Sequence, residues 1–276
     1  MQITKADGTH EDFKIRKLET SLKKSGATKS EIQTIATEIQ NLLTDGMSTQ
    51  QIYQKAFTLL RESNDPVAAK YSLRRAVFGL GPTGFPFEDF LGRVFEAQGY
   101  TTKRRLILKG KCAVHEVDLA AYSPTHSFIA EAKFHAHPGM KSDLQVAMYS
   151  YARYLDLQSQ RVCKADVCGI ISLYVVTNTK FTSAAISYAQ CVGINLLSWN
   201  FPSKNSLQRM IEDHRVYPVT VLTRITANQK QVLLRSGVIL CADIVKNPQS
   251  LSILGLSRQK SELVLNEASL LCHTTI

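Results

Sequence analysis

Three polar residues in two apolar runs could together hold a divalent cation and activate a water molecule. Asp118 lies within the run 113–121, and Glu131 and Lys133 end the run 128–133. Strand residues two apart point to the same face, so Glu131 and Lys133 are expected side by side. Carboxylates are the hard oxygen ligands that Mg²⁺ prefers, and a neighbouring amine can position or help deprotonate water. The pattern predicts a divalent-metal site with an amine beside it.

Two further polar residues lie on helices that flank these runs. Glu88 is at the edge of the apolar face of a helix predicted over 87–98. An acid at that edge either reaches back to solvent or serves a site. Gln145 and Tyr149 are four residues apart and share a face of the helix after the last strand. Both helices are therefore expected to border the carboxylates.

This order of residues, over about 83–203, resembles the Mrr-like restriction endonuclease branch of the PD-(D/E)xK nuclease superfamily. The Gln145–Tyr149 spacing resembles the Gln-x-x-x-Tyr element of RecB-like nucleases. The resemblance implies a mixed-sheet α/β/α core that hydrolyses DNA phosphodiester bonds with Mg²⁺ or Mn²⁺, in restriction or defence. A decayed nuclease that keeps the fold is the alternative.

The resemblance also implies roles for individual residues. Asp118 and Glu131, with the carbonyl of Ala132, would hold the metal ion. Lys133 would position or help deprotonate the attacking water. Glu88 and Gln145 would act around this metal or at a second one.

The first segment, residues 1–81, combines a short hairpin with helical patterns. An Asp7-Gly8 turn predicts the hairpin, and Ser48 begins a capping-box pattern that predicts a helix start. A further helix is predicted from Asp65 to Leu80. The blocks ITKADGTHEDF, GMSTQQIY and AAKYSLRRAVFGL resemble, in order, an ATP-cone nucleotide-binding domain.

The ATP-cone resemblance implies an ATP or dATP effector held by a defined set of side chains. Lysines suit a triphosphate, and a helix N-terminus offers free N–H groups. The positions that match are Lys5, Glu11, Lys17, Thr49 and Phe78. A plain helical interaction domain with a degenerate pocket is the alternative.

The last segment, residues 204–276, resembles a tandem helix-hairpin-helix with turns at 225–227 and 255–257. Backbone N–H groups in such turns can meet DNA phosphates. A structural or dimerising role is an equal alternative. The candidate nucleic-acid contacts of the whole chain are Gly255, Ser257, Arg258 and Lys260 here, and Lys103, Arg104, Arg105 and Lys141 in the middle segment.

Composition supports a polyanionic partner but does not distinguish binding of that partner from its cleavage. The 276 residues carry 33 basic and 23 acidic side chains, a net charge of +10 that is spread over the three segments. The six cysteines form no Cys-x-x-Cys pair, which argues against a zinc ribbon and for reduced, buried thiols. No apolar stretch of about 20 residues predicts a membrane span, and the N-terminus lacks a signal-peptide core, so a cytoplasmic location is expected.

The sequence thus predicts an α/β multidomain chain of three units, at 1–81, 83–203 and 204–276. The function predicted is a DNA endonuclease tuned by ATP or dATP. Cutting both strands ordinarily requires two sites, so a homodimer or higher oligomer is expected. The alternative function is a non-catalytic, nucleotide-responsive DNA-binding regulator.

Overall fold

The computed structural model describes residues 1–5, 8–163 and 169–272. The chain divides into two compact units: the first holds 1–76 and 219–276, and the second holds 77–218. The predicted N-terminal and C-terminal segments therefore largely share one unit. The α/β multidomain class is confirmed, since a five-stranded mixed sheet, a small antiparallel hairpin and many helices make up the fold.

The first unit opens with an antiparallel hairpin in which Ile3 of β1 faces Glu11 of β2. Asp7, at the predicted turn, lies outside the described residues. The elements of this part are β1 (Gln2–Thr4), β2 (His10–Asp12), α1 (Ile15–Lys24), α2 (Lys29–Leu42), α3 (Thr49–Ser63), α4 (Asp65–Tyr71) and α5 (Leu73–Phe78).

Local capping explains where these helices begin and end. The capping box predicted at Ser48 is confirmed: its side chain accepts from the N–H of Gln51, and the Gln51 side chain accepts from the N–H of Ser48. The single helix predicted from Asp65 to Leu80 is wrong, because it breaks at Ser72. The Ser72 hydroxyl donates to the Ala69 carbonyl at 2.8 Å, the kind of local bond that competes with a continuous helix.

Helices and 3₁₀ segments make up most of the described residues in the C-terminal part of the first unit. Its elements are a 3₁₀ turn (Val219–Val221), α10 (Ala227–Arg235), α11 (Cys241–Lys246), a second 3₁₀ segment (Pro248–Leu254) and α12 (Arg258–Cys272). The turn predicted at 225–227 is instead the start of α10, because the Thr226 hydroxyl accepts from the N–H of Gln229. The second predicted turn does precede a helix, and Gly255 supplies its positive φ of 60°.

The second unit is built around a five-stranded mixed sheet. Its strands are β3 (Thr101–Lys109), β4 (Val114–Tyr122), β5 (Ser127–Lys133), β6 (Lys141–Ser142), β7 (Ser172–Thr177), β8 (Lys180–Phe181) and β9 (Asn195–Leu197). The order in the main sheet is β3-β4-β5-β7-β9, with β3 to β5 antiparallel and β5, β7 and β9 parallel. Its helices are α6 (Phe85–Glu96), α7 (Leu144–Leu157), α8 (Ser183–Val192) and α9 (Leu207–His214).

Helices cover both faces of this sheet. Phe95 of α6 packs edge-on against Phe128 of β5, with ring centroids 5.0 Å apart. Ala147 of α7 and Ala185 of α8 pack with Ile129 of β5 in a buried cluster. Since neighbouring strand residues point to opposite faces, α6 lies on one side of β5 and α7 with α8 on the other. By the same alternation Glu131 and Lys133 face the α7 side.

The alternation fails locally in β3. Arg104 reaches Gly92 of α6, whereas Leu106 packs with the buried cluster on the α7 side. Residues two apart should share a face. The switch occurs at Arg105, which has a positive φ of 53° and interrupts the register between the Arg104–Leu119 and Leu106–Val117 pairs. A positive φ in a residue other than glycine is a strained conformation that often marks a functional site.

Candidate functional site

The three residues from which the site was predicted come together where the middle of β4 lies beside the carboxyl end of β5. Oδ2 of Asp118 accepts a 2.8 Å hydrogen bond from the N–H of Ala132. Ala132 lies between Glu131 and Lys133 in β5, so this bond brings the Asp118 carboxylate to the residues on either side. The bond also fixes one Asp118 oxygen, leaving the other to face a ligand.

The two carboxylates are electrostatically coupled. Burial raises the pKa of Glu131 first of all, and the negative charge of Asp118 raises it further, while Arg153 and Lys133 oppose the shift. Burial also raises the pKa of Asp118, against the Ala132 hydrogen bond, Arg153 and Lys133. Two mutually repelling, half-buried carboxylates favour a bound cation.

Glu88 joins this group from the first turn of α6. Burial raises its pKa to about 7, and the charge of Asp118 adds to the shift. Arg105 opposes it, with Nη1 3.2 Å from the Glu88 carboxylate and Nη2 2.9 Å from Asp89. The strained Arg105 backbone therefore places a guanidinium beside Glu88, an acid whose pKa is near neutral.

Arg153 contacts the candidate site, although the sequence pattern did not single it out. Its Nη1 lies 2.5 Å from Oε2 of Glu131 and donates to the Glu116 carbonyl at 3.1 Å. Its guanidinium lies over the Tyr149 ring, 4.9 Å from the centroid. Arg153 follows Tyr149 by four residues, as Tyr149 follows Gln145, so one more step along the predicted helix face would have found it.

Gln145 lies exposed in the first turn of α7. Within the described residues, no hydrogen bond joins it to the carboxylates. Its predicted role therefore remains a prediction, supported by the face that it shares with Tyr149 and Arg153.

The donor set suits a cation that needs few protein ligands. Among residues 1–5, 8–163 and 169–272, no three His, Cys, Asp or Glu side chains are grouped so that they could hold a metal ion. What the site offers is two coupled carboxylates and neighbouring backbone oxygens. Mg²⁺ commonly binds one or two carboxylates and completes its shell with water and substrate phosphate, so the set is compatible with Mg²⁺.

The basic cluster of β3 is largely engaged within its own unit. Lys103 Nζ donates to the Val162 carbonyl at 2.9 Å, and Arg104 Nη2 lies 2.8 Å from Glu96. Arg105 binds Glu88 and Asp89 as described. Lys141, the first residue of β6, is exposed. Contact of these four residues with nucleic acid stays a prediction.

The predicted nucleotide site of the first unit is partly assembled. Lys5 Nζ lies 3.1 Å and Lys17 Nζ 3.0 Å from the Glu11 carboxylate, and these contacts, that of Lys17 above all, lower its pKa. Thr4 pairs with Ser48, the N-cap of α3, so the N-terminal turn that contains Thr49 lies beside β1. Two lysines and a helix N-terminus suit a polyphosphate.

Aromatic residues near this site differ from the one predicted. Phe78, half-buried, ends α5 and belongs to the second unit. In the first unit, Tyr53 lies one turn after Thr49 and stacks on Tyr71, with centroids 5.1 Å apart. The Arg75 guanidinium also lies over the Tyr53 ring, with its carbon 3.5 Å from the ring centroid. Burial raises the pKa of Tyr53 to about 12, so the ring stays neutral.

The predicted DNA contacts near α12 are exposed. Lys260 accompanies Arg61 and Arg224 in lining an open cavity of about 620 Å³. Arg258 pairs with Glu262 at 2.9 Å, and the Ser257 hydroxyl accepts from the N–H of Lys260 at 3.3 Å. Gly255 is exposed as well. DNA contact by these residues remains a prediction.

The cysteines depart from the prediction of reduced, buried thiols. Cys163 is disulfide-bonded. Cys112 and Cys191 are free but exposed, and Cys241 is free and buried. Cys168 lies outside the described residues. Apolar context in the sequence thus failed to predict thiol state at Cys163.

Comparison with known proteins places the chain in a family. A model of the ATP-cone domain matches residues 1–77, and a model described as AF1548-like, C-terminal, matches residues 217–272. An uncharacterized protein of Archaeoglobus fulgidus is 35% identical over 179 residues, which cover 64% of this chain and 97% of that protein. The chain belongs to the AF1548-like family.

A solved structure agrees with this family assignment. It is the crystal structure of a protein of unknown function, AF1548, which is 32% identical and matches with a TM-score of 0.55. The match covers 69% of this chain and 98% of that one. This AF1548-like chain thus carries an N-terminal ATP-cone domain, which suggests regulation by nucleotide binding. Within the described residues, no helix is long and apolar enough to cross a membrane.

Proposed function

We propose that the second unit hydrolyses phosphodiester bonds of DNA with a divalent cation, and that the ATP-cone domain tunes this activity through ATP or dATP. The observation that carries the proposal is the grouping of Asp118, Glu131 and Lys133. Two acids coupled through burial, with an amine on the same strand, are what metal-assisted phosphate hydrolysis requires. The resemblance to Mrr-like restriction endonucleases supports the choice of DNA and a role in defence.

Asp118 and Glu131, with the Ala132 carbonyl, would hold Mg²⁺ or Mn²⁺. Such an ion polarises the phosphate and lowers the pKa of bound water. Lys133, exposed beside both acids, would orient the attacking water and offset negative charge on the phosphate. Glu88, with a pKa of about 7, is suited to accept a proton near neutral pH. Gln145 would contact the substrate from α7.

Nucleotide control is proposed for the first unit. The Lys5–Glu11–Lys17 cluster and the start of α3 at Thr49 would bind the polyphosphate. The exposed basic residues near α12, Arg258 and Lys260, would contact the DNA backbone, in keeping with the net charge of +10. Cleavage of both strands would require a homodimer or higher oligomer.

A plasmid-cleavage assay tests the proposal. Wild type is expected to linearise or nick DNA with Mg²⁺ or Mn²⁺ and not with EDTA, and to change rate with ATP or dATP. Lys133→Met and Asp118→Asn should each lower the rate by about 10²-fold or more, the usual loss for a group that acts in the reaction. Lys204→Met is the matched control, an exposed lysine of the same unit. Equal rates for Lys133→Met and Lys204→Met would contradict the assignment.

A non-catalytic DNA-binding regulator is the second candidate. The contact that favours it is the 2.5 Å pair between Arg153 and Glu131, which neutralises one of the two acids. Binding of DNA that responds to ATP, with no cleavage under any divalent cation, would select this function over hydrolysis.

A further inference from the structure

Arg153 occupies the position that a cation would need on Glu131. Its Nη1 lies 2.5 Å from Oε2 of Glu131, on the face of β5 that meets α7. The side chains of both partners are largely buried, with 15% of Arg153 and 13% of Glu131 exposed. Like charges close together repel strongly in such surroundings, so the guanidinium and a divalent cation compete for the same oxygen.

The guanidinium is incompletely satisfied in this position. Nη1 serves both Glu131 and the Glu116 carbonyl, whereas Nε is buried and has no hydrogen-bond partner. A buried donor without a partner costs free energy. The ion pair with Glu131 is therefore opposed by an unmet donor, which lowers the cost of moving the group.

The guanidinium already contacts Tyr149 while it pairs with Glu131. The Tyr149 ring, 63% exposed, lies 4.9 Å from the Arg153 guanidinium carbon. Both residues line an open cavity of about 460 Å³, together with Ala152 and Leu155. Cation–π contact with Tyr149 can hold the guanidinium after it leaves Glu131.

We propose that Arg153 is a built-in competitor of the divalent cation: it neutralises Glu131 when no cation is bound, and cation binding releases it from Glu131 into the adjacent cavity, where its contact with Tyr149 retains it. The proposal rests on the proposed function only in placing a cation at Asp118 and Glu131. Arg153 is thus a positioning residue that sets cation affinity.

Cation affinity without DNA separates this proposal from nuclease activity. Isothermal titration of the full-length protein with Mn²⁺ compares wild type, Arg153→Gln, Arg153→Lys and Arg209→Met. Arg153→Gln keeps a donor for the Glu116 carbonyl but carries no charge. It is expected to bind Mn²⁺ about tenfold more tightly than wild type, equivalent to ~1.4 kcal/mol. Arg153→Lys keeps the charge and should stay within about threefold of wild type.

Arg209→Met is the matched control, since it removes one charge from α9. Arg209 lines a cavity of about 530 Å³ with Phe128 and Tyr174, and neither Glu131 nor Arg153 lines this cavity. It should leave Mn²⁺ affinity unchanged. Adding Glu131→Gln to Arg153→Gln should abolish the gain, which assigns the released ligand to Glu131. Far-ultraviolet circular dichroism confirms that each variant is folded.

Three results would overturn the proposal: unchanged or weaker Mn²⁺ binding by Arg153→Gln, an equal gain in Arg209→Met, or no Mn²⁺ binding by any variant. If Arg153→Gln does not fold, Mn²⁺ affinity is compared between Arg153→Lys and the double variant with Arg153→Lys and Glu131→Gln. Equal affinities in these two would show that Mn²⁺ binding does not depend on residue 131, which would equally exclude the competition. Tight Mn²⁺ binding without DNA cleavage would remove the nuclease function and leave the competitor role standing.

Discussion

The carboxylate of Glu88 lies 3.2 Å from Nη1 of Arg105, the one residue of β3 with a positive φ. Burial nevertheless raises the pKa of Glu88 to about 7, and Asp118 contributes to that shift. The arginine therefore fails to compensate fully for removing the acid from water. This balance makes Glu88 sensitive to pH in the physiological range.

The first prediction concerns the pH dependence of stability. Because the pKa of Glu88 is higher in the folded state than its ordinary value of 4.5, the folded protein binds the proton more tightly. The stabilising contribution of protonated Glu88 is fully present below about pH 4.5 and is lost as pH rises through about 7. Glu88→Gln removes this loss, so it should be more stable than wild type at pH 8 by about 1–3 kcal/mol. Urea unfolding in EDTA at pH 5 and pH 8 measures the difference.

Asp89→Asn, on the same helical turn, provides the comparison. Asp89 pairs with Arg105 at 2.9 Å, and its substitution should not stabilise the protein as pH rises. A stability gap between Glu88→Gln and wild type that is the same at both pH values would contradict the assignment of this titration to Glu88.

The sequence predicted the grouping of Asp118, Glu131 and Lys133 better than the contacts around it. Period two along β5 was enough to group Glu131 with Lys133, because strand alternation is a local property. Arg153 reaches Glu131 from a helix 22 residues later, a contact that only the packing of α7 on the sheet creates. The positive φ of Arg105 could not be predicted either, since arginine has no preference for that conformation. The pairing of Thr220 with Ala76, at 2.6 Å, likewise joins segments far apart in the chain.

The second prediction concerns the hairpin between β3 and β4. Asp156 of α7 accepts the N–H groups of Cys112 at 2.7 Å and Ala113 at 3.0 Å, and His115 Nε2 at 2.7 Å. A Cβ at Gly110 would meet the Asp156 carboxylate and the Ala113 carbonyl. Gly110→Ala should therefore lower the free energy of unfolding by about 1–3 kcal/mol. Thermal and urea unfolding measure the loss.

Gly169→Ala is the matched control, because a Cβ at Gly169 meets nothing within 4 Å. It should change stability by no more than about 0.5 kcal/mol. If both alanine variants lose the same stability, the steric argument at Asp156 is wrong.

The third prediction concerns nucleotide binding by the ATP-cone domain. Lys17 lies 3.0 Å from Glu11 and is the largest cause of its lowered pKa. If this cluster binds the polyphosphate, Lys17→Met should weaken ATP and dATP binding by about tenfold or more. Isothermal titration with each nucleotide gives the affinities.

Lys24→Met removes the same charge from the last turn of α1 and should bind nucleotide as wild type does. Equal losses in the two variants would indicate a general effect of net charge. Equal affinities in Lys17→Met and wild type would exclude Lys17 from the site.

The fourth prediction concerns the segment that the AF1548-like C-terminal model matches. Glu267 of α12 is 2% exposed, and its carboxylate accepts the N–H groups of Thr223 at 2.6 Å and Arg224 at 3.3 Å. Glu267→Ala leaves both donors without their partner, and each such donor costs about 1–3 kcal/mol. We expect a loss of about 2–4 kcal/mol in urea unfolding. Glu267→Gln, which keeps one oxygen for these donors, should lose less.

Glu262→Ala on the same helix is the control. It distinguishes loss of the Glu267 hydrogen bonds from loss of one negative charge in α12. Glu262 is exposed and pairs with Arg258 at 2.9 Å, and exposed pairs of this kind contribute about 0–1 kcal/mol. The order of stability should be Glu262→Ala, then Glu267→Gln, then Glu267→Ala. Burial raises the pKa of Glu267, which costs stability in the charged form. A finding that Glu267→Ala is as stable as wild type would mean that this cost cancels the benefit of the two N–H bonds.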